Sequence, residues 1–77
     1  MEIKINGIYK HYKGDLYIVE DVIYNSDTLE KMVAYRALYG DGRLWCRKYE
    51  SFFDVVNKNG QKYRYELQNI KSVRNDK

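Results

Sequence analysis

The chain has 77 residues with one cysteine, one histidine and no proline, and it carries a net charge of +3. That length leaves room for one small domain over 1–77, which would bury only about 60% of its unfolded surface. A lone cysteine and a lone histidine exclude an internal disulfide and a conventional zinc site, so no metal or cofactor is expected and the core must come from apolar and aromatic packing.

The stretch "GIYKHYKGDLYIVEDV", residues 7–22, alternates on both sides of Lys13-Gly14-Asp15. Ile8 and Tyr12 share one parity and Tyr9 and His11 the other. After the turn, Leu16 and Ile18 oppose Tyr17 and Val19. Glycine supplies the positive φ of a tight turn, so this stretch predicts a β-hairpin.

The next segment, "SDTLEKMVAYRAL", reads two ways. As a helix, Asp27 would cap it with Glu30 three residues on, and Leu29, Met32, Val33 and Ala37 would line one face. As a strand, a turn at Asn25-Ser26-Asp27 would lead into residues 31–39, with Val33, Tyr35, Ala37 and Tyr39 on one face. Periodicity leaves both open, although a Gly40-Asp41-Gly42 turn followed by a strand through Trp45 would complete an economical hairpin. "YESFFDVV" predicts a short helical or 3₁₀ turn near 50–54, with one phenylalanine plugging the fold and the other at its rim. "DVVNKNG" and "KYRYEL" form a further hairpin around Asn59-Gly60, with Tyr63, Tyr65 and Leu67 on one face. From about residue 70 the chain turns polar and is expected to fray.

Five or six short strands with frequent turns predict an all-β fold, a small antiparallel barrel in which closure removes exposed edges. The first ten residues hold no apolar core of signal-peptide length. No run approaches the ~20 apolar residues of a membrane span. A single thiol fits a reducing compartment, so the expectation is a cytoplasmic protein with no membrane partner.

Charge is uneven: residues 1–46 carry −1 and residues 47–77 carry +4. Lys58, Lys62, Arg64, Lys71 and Arg74 make the basic end. Trp45, Arg47 and Tyr49 share one parity, and arginine beside aromatics suits stacking on bases and pairing with phosphate. His11 is the one conventional neutral-pH acid or base, but no Ser-His-Asp or Cys-His pattern accompanies it, so no enzyme is expected. Cys46, alternating with Trp45, is expected to point away from it and pack as a small apolar residue.

The sequence resembles the bacterial domain of unknown function family 1653. Gly7, Tyr9, His11, Tyr12, Lys13, Gly14, Tyr17 and Val19 follow its G-x-Y-x-H-Y-K-G-x-x-Y-x-V start. Ser26, Thr28 and Glu30 follow its S-E-T-x-E motif. Val33, Tyr35, Arg36, Leu38, Tyr39 and Gly40 follow V-x-Y-R-x-L-Y-G, and Leu44, Trp45, Arg47 and Phe52 follow the L-W-x-R-P element and its phenylalanine turn. The resemblance implies an SH3-like barrel and a strand, not a helix, over residues 31–39. It assigns no activity. The chain departs from the pattern at Asn25, where the family has histidine, at Asp27 for glutamate, at Lys48 for proline, and in its C-terminal ending.

Together these readings give a non-enzymatic binding module for a flat anionic ligand, a nucleotide or single-stranded nucleic acid. The candidate contacts are Tyr9, His11, Lys13, Arg36, Tyr39, Trp45, Arg47 and Arg64. A protein-interaction or self-assembling module, pairing with a protein partner or as a homo-oligomer, is the alternative.

Overall fold

The computed structural model describes residues 2–70. In chain order it contains β1 (Ile8–His11), β2 (Leu16–Tyr24), β3 (Lys31–Ala37), β4 (Leu44–Lys48), a 3₁₀ turn η1 (Glu50–Phe53), β5 (Val55–Lys58), β6 (Gln61–Tyr63) and β7 (Tyr65–Leu67). Five strands form one antiparallel sheet in the order β4-β3-β2-β1-β7, and β5 pairs with β6 in a second sheet. The fold is all-β, as the alternating patterns predict. Among the described residues no helix is long and apolar enough to cross a membrane.

The first hairpin forms where expected. Tyr9 lies opposite Tyr17, and Gly14 turns the chain at φ 113°. At the other end of β2, the helix-or-strand ambiguity resolves to a strand. The Asn25 side-chain oxygen accepts from the Asp27 N–H at 2.9 Å and the Thr28 N–H at 3.2 Å. The Leu29 N–H donates to the Asn25 carbonyl at 2.7 Å, and Leu29 itself sits at φ 65°. Those bonds close a reversal instead of starting a helix. Asn25 thus does the work that the helical reading gave to Asp27, and Leu29 is left 78% exposed.

β2 and β3 pair along almost their whole length, with one register shift between Val19 and Asp21. The extra residue bends β2 and increases the local twist. Beyond Ala37, Gly40 and Gly42 both take positive φ and return the chain into β4. Asn59 and Gly60, at φ 51° and 81°, make the β5–β6 turn with two left-handed residues, the conformation that Asn-Gly favours.

One departure from the expected five or six strands lies in "KYRYEL", which is two strands and not one. The Arg64 N–H donates to the Asp54 carbonyl at 2.8 Å, while its own carbonyl accepts from the Tyr12 N–H at 3.0 Å. The chain is therefore pulled toward the small sheet before Arg64 and toward β1 after it. The fray expected from about residue 70, and the cations Lys71 and Arg74, lie outside the described residues apart from Ile70.

The inner face of the large sheet supplies the core: Tyr9, Tyr17, Val19, Val33, Tyr35, Ala37 and Tyr65, closed by Phe52 from η1. Phe52 has no exposed surface. Its ring stacks on Tyr65 with centroids 4.1 Å apart and meets Tyr9 and Tyr35 edge-on at 5.3 Å each. Phe53 packs partly buried beside it, so the two adjacent phenylalanines divide between plug and rim as the sequence leads one to expect. A core built from tyrosine must also place hydroxyls, and where those go shapes the candidate site.

Candidate functional site

Rings of Tyr17, Tyr35 and Tyr65 meet one another edge-on, with centroids 5.3 to 5.6 Å apart. They come from β2, β3 and β7, which the curled sheet brings together. Tyr65 donates its hydroxyl to Tyr35 at 3.1 Å. The Tyr17 and Tyr39 hydroxyls share a bond of 2.8 Å. Burial first, and then the hydroxyl bond to Tyr39, pushes the Tyr17 phenol well above its ordinary range. Burial and the Tyr35 hydroxyl do the same to Tyr65. These phenols stay protonated at neutral pH and offer O–H groups, not phenolate bases.

Arg47 reaches this cluster from β4. Its Nη1 donates to Ser51 Oγ at 2.9 Å, its Nε lies 3.5 Å from the Tyr35 hydroxyl, and its guanidinium carbon lies 5.9 Å from the Tyr65 ring centroid. Trp45 stands directly across the ladder from Tyr35 and is 46% exposed. Tyr39 is exposed to the same degree. The Trp45 ring lies 5.8 Å from the Arg43 guanidinium carbon and Tyr39 meets Tyr17, so two half-open rings stand at the margin of the tyrosine cluster that Arg47 joins.

His11 adds the far side. It pairs with Tyr65 in the β1–β7 ladder, meets that ring edge-on at 4.9 Å and packs against Tyr12 at 4.4 Å. Its Nδ1 accepts from the Lys13 N–H at 3.1 Å, so the neutral ring carries its proton on Nε2. The bond is local to the turn. Burial lowers the His11 pKa below 6.5, and the charges of Arg64, Arg47 and Lys13 add to the effect while Asp15 opposes it.

A folded pKa below the unfolded one means that the unfolded chain takes up the proton more readily. His11 thus contributes stability above about pH 6.5 that is lost as the pH falls through its folded pKa. We expect an NMR titration of the His11 ring to give a midpoint below 6.5. In melts across that window His11→Gln should lack the acid-side loss attributable to this ring; equal acid-side losses in the two proteins would contradict the assignment.

The remaining candidates separate. Tyr9 is a core residue, 2% exposed, and its hydroxyl accepts from the Lys4 N–H at 3.0 Å, which removes it from the surface set. Arg36 lies on the opposite face of the sheet, between Ile18 and Leu44, bound to Glu20 at 3.1 Å and the Gly42 carbonyl at 2.8 Å. It does not join the cluster. Lys13 is exposed at the hairpin tip, and its Nζ lies 5.9 Å from the centre of the Tyr12 ring. Arg64 pairs with Asp54 at 3.2 Å, and its buried Nε has no partner among the described residues.

Cys46 does alternate with Trp45, but it is exposed and not packed, because β4 ends the sheet. A groove lined by Lys4 and 67–70 lies outside the cluster. Another, by Phe53, Tyr63 and Glu66, touches it through Tyr65. Neither gathers the cations. Sequence reasoning missed Tyr17, Tyr35 and Ser51 as site residues. The first two share the parity of Tyr9 and Val33, but a parity marks a face and not which strands meet across it.

The family model described as "Protein of unknown function (DUF1653)" matches residues 7–67. The chain belongs to the DUF1653 family. Among solved structures, a DUF1653 protein from Bordetella bronchiseptica is similar, with 25% identity over 83% of this chain and 85% of that one, at a TM-score of 0.72. No curated protein matches.

Asn25, the first of the departures noted above, builds the reversal between β2 and β3. Lys48, which stands where the resemblance described above leads one to expect proline, continues β4 opposite Met32 and pairs with Glu30 at 3.3 Å. Proline would lack the N–H at that position, and its loss would leave the pairing with β3 intact, because Lys48 and Met32 face each other without exchanging bonds.

Proposed function

We propose that this DUF1653 domain is a non-enzymatic binding module, an SH3-like barrel that takes a flat anionic ligand, a nucleotide or single-stranded nucleic acid. One observation carries the reading. Among the described arginines, Arg36, Arg43 and Arg64 each pair with a carboxylate, whereas Arg47 is half-buried and contacts hydroxyls and rings only. A desolvated cation without a counter-charge favours an incoming anion. Trp45, two residues before it on β4, and Tyr39, bonded to Tyr17 of the cluster, offer faces on which a base can stack. His11, neutral at physiological pH, contributes a ring and an Nε2–H, and Lys13 and Arg64 extend the positive field. A reducing, cytoplasmic setting goes with this reading, since Cys46 is a free, exposed thiol.

Trp45 is the single tryptophan and serves as its own reporter. Titration with oligothymidylate at about 50 mM salt should quench its fluorescence, and the affinity should fall linearly in log–log form as salt rises. Mononucleotides distinguish a one-base site from a strand-tracking one. No quenching by any oligonucleotide or nucleotide at that salt concentration would overturn the proposal.

A further inference from the structure

The large sheet ends at β4, and the free edge of β4 fits a second copy of itself. On the β3 side, the Ala37 N–H donates to the Arg43 carbonyl at 2.9 Å and the Tyr49 N–H to the Lys31 carbonyl at 3.0 Å. Antiparallel ladders alternate bonded and non-bonded pairs. Trp45 and Arg47 therefore direct their backbone groups to β3, and Leu44, Cys46 and Lys48 direct theirs outward. Those outward groups have no backbone partner among the described residues, and the three side chains are exposed. An edge strand left in this state is a template for further pairing.

We infer that the protein forms a twofold dimer by antiparallel pairing of β4 with β4 of a second copy, with Cys46 on the axis. In this register Cys46 faces its own counterpart and Leu44 faces Lys48. Every outward N–H and C=O of the three residues finds a partner, and a shift of two residues in either direction leaves some unpaired. The intervening pair sets Trp45 of one copy beside Arg47 of the other on the inner face, an aromatic–cation contact made twice. The twofold symmetry is that of an isologous interface.

Charge favours a second copy over an acidic peptide as the occupant. Cations on an edge strand ordinarily discourage pairing, but Lys48 already has Glu30 at 3.3 Å and Arg43 has Asp41 at 3.7 Å. Of the strand's cations, Arg47 alone lacks a carboxylate, and the register places it against tryptophan, not against another cation. The inference does not depend on the ligand reading, and its test contains no ligand.

Sedimentation equilibrium should give a mass rising from the 9.3 kDa monomer toward twice that value over about 1–100 μM protein. A bonded antiparallel pair holds its Cα atoms about 5.5 Å apart and its Cβ atoms toward the far end of the roughly 4.5–5.5 Å cross-strand range, within reach of a short bis-maleimide. Such a reagent should therefore link two chains through Cys46 about tenfold or more faster than it links the control Cys46→Ser/Asp27→Cys, whose exposed thiol meets its like only by collision. Cys46→Pro removes an outward N–H and no bond to β3, so it should remain folded by circular dichroism and sediment as a monomer. A strict monomer up to about 1 mM, a dimer whose Cys46 crosslinks no faster than the control, or a folded Cys46→Pro that still dimerises would each overturn the proposal. Should Cys46→Pro fail to fold, the mass and crosslinking of the unaltered chain decide the matter.

Discussion

Phe52→Ala should cost this domain about 3–5 kcal/mol, the range for truncating a buried phenylalanine. The upper part of that range applies, because Phe52 is fully buried and its ring contacts Tyr9, Tyr35, Phe53 and Tyr65. It also enters the core from a 3₁₀ turn that has no side-chain cap, so η1 is held mainly by this ring, with Phe53 beside it and the bond from Arg47 to Ser51 as lesser anchors. At roughly 0.05–0.15 kcal/mol per residue, a chain of 77 residues has about 4–12 kcal/mol of stability in total. The substitution therefore removes much of the margin, and a fraction of the protein should be unfolded at room temperature. Urea unfolding followed by far-ultraviolet circular dichroism measures this, with Phe52→Leu as a milder variant that retains a baseline. A loss under about 1 kcal/mol for the alanine variant, typical of a surface site, would show that Phe52 is not the keystone of the core.

Arg47→Ala should weaken oligonucleotide binding by about 10–100-fold, the equivalent of one charge-assisted hydrogen bond. Two readouts separate this from damage to the fold. The slope of log affinity against log salt should become shallower by about 0.7, the value for one lost phosphate contact on a single strand. Arg47→Lys should restore charge and slope without restoring full affinity, because an ammonium lacks the planar fork that can touch Ser51, Tyr35 and a phosphate together. Tyr35 keeps its bond from Tyr65 when Arg47 is removed, so the core itself should hold. An unchanged affinity and slope in a folded Arg47→Ala protein would place the ligand elsewhere.

Most of the strands were legible in the sequence because alternation and turn chemistry agreed. Gly14 and Asn59-Gly60 mark their hairpins through residues that accept positive φ, and "YESFF" marks its 3₁₀ turn. The segment 27–38 was not legible from periodicity, since Leu29, Met32, Val33 and Ala37 suit a helix as well as Val33, Tyr35 and Ala37 suit a strand. What decides it is the side chain of Asn25, which supplies bonds that no hydrophobic pattern records. The break at Arg64 was hidden for a similar reason. Tyr63, Tyr65 and Leu67 keep strand parity through the bend, and only the backbone bonds to Asp54 and Tyr12 reveal it.

The site was legible in kind more than in membership. Arg47, Trp45, Tyr39 and His11 do gather around one cluster, but parity could not show that Tyr9 is closed off within the core, whereas the strand reading of 31–39 already sets Arg36 on the face opposite Val33, Tyr35 and Ala37. Which rings meet depends on how far the sheet curls, a property of the β2 bulge and of the two edge strands meeting through Tyr65 and Arg47.

The bend at Arg64 also fixes when the molecule can become native. Residues 61–67 supply the partner of β5 and then the partner of β1, so one short segment completes both sheets. β7 returns to β1 across nearly the whole described chain, and such sequence-distant pairing slows folding because the loop must close before its contacts form. An amino-terminal fragment ending before Tyr65 lacks both the final strand and the ring that Phe52 stacks upon. During synthesis, the hairpins of the first part of the chain must wait, with aromatic faces uncovered, until residue 67 is free to join them.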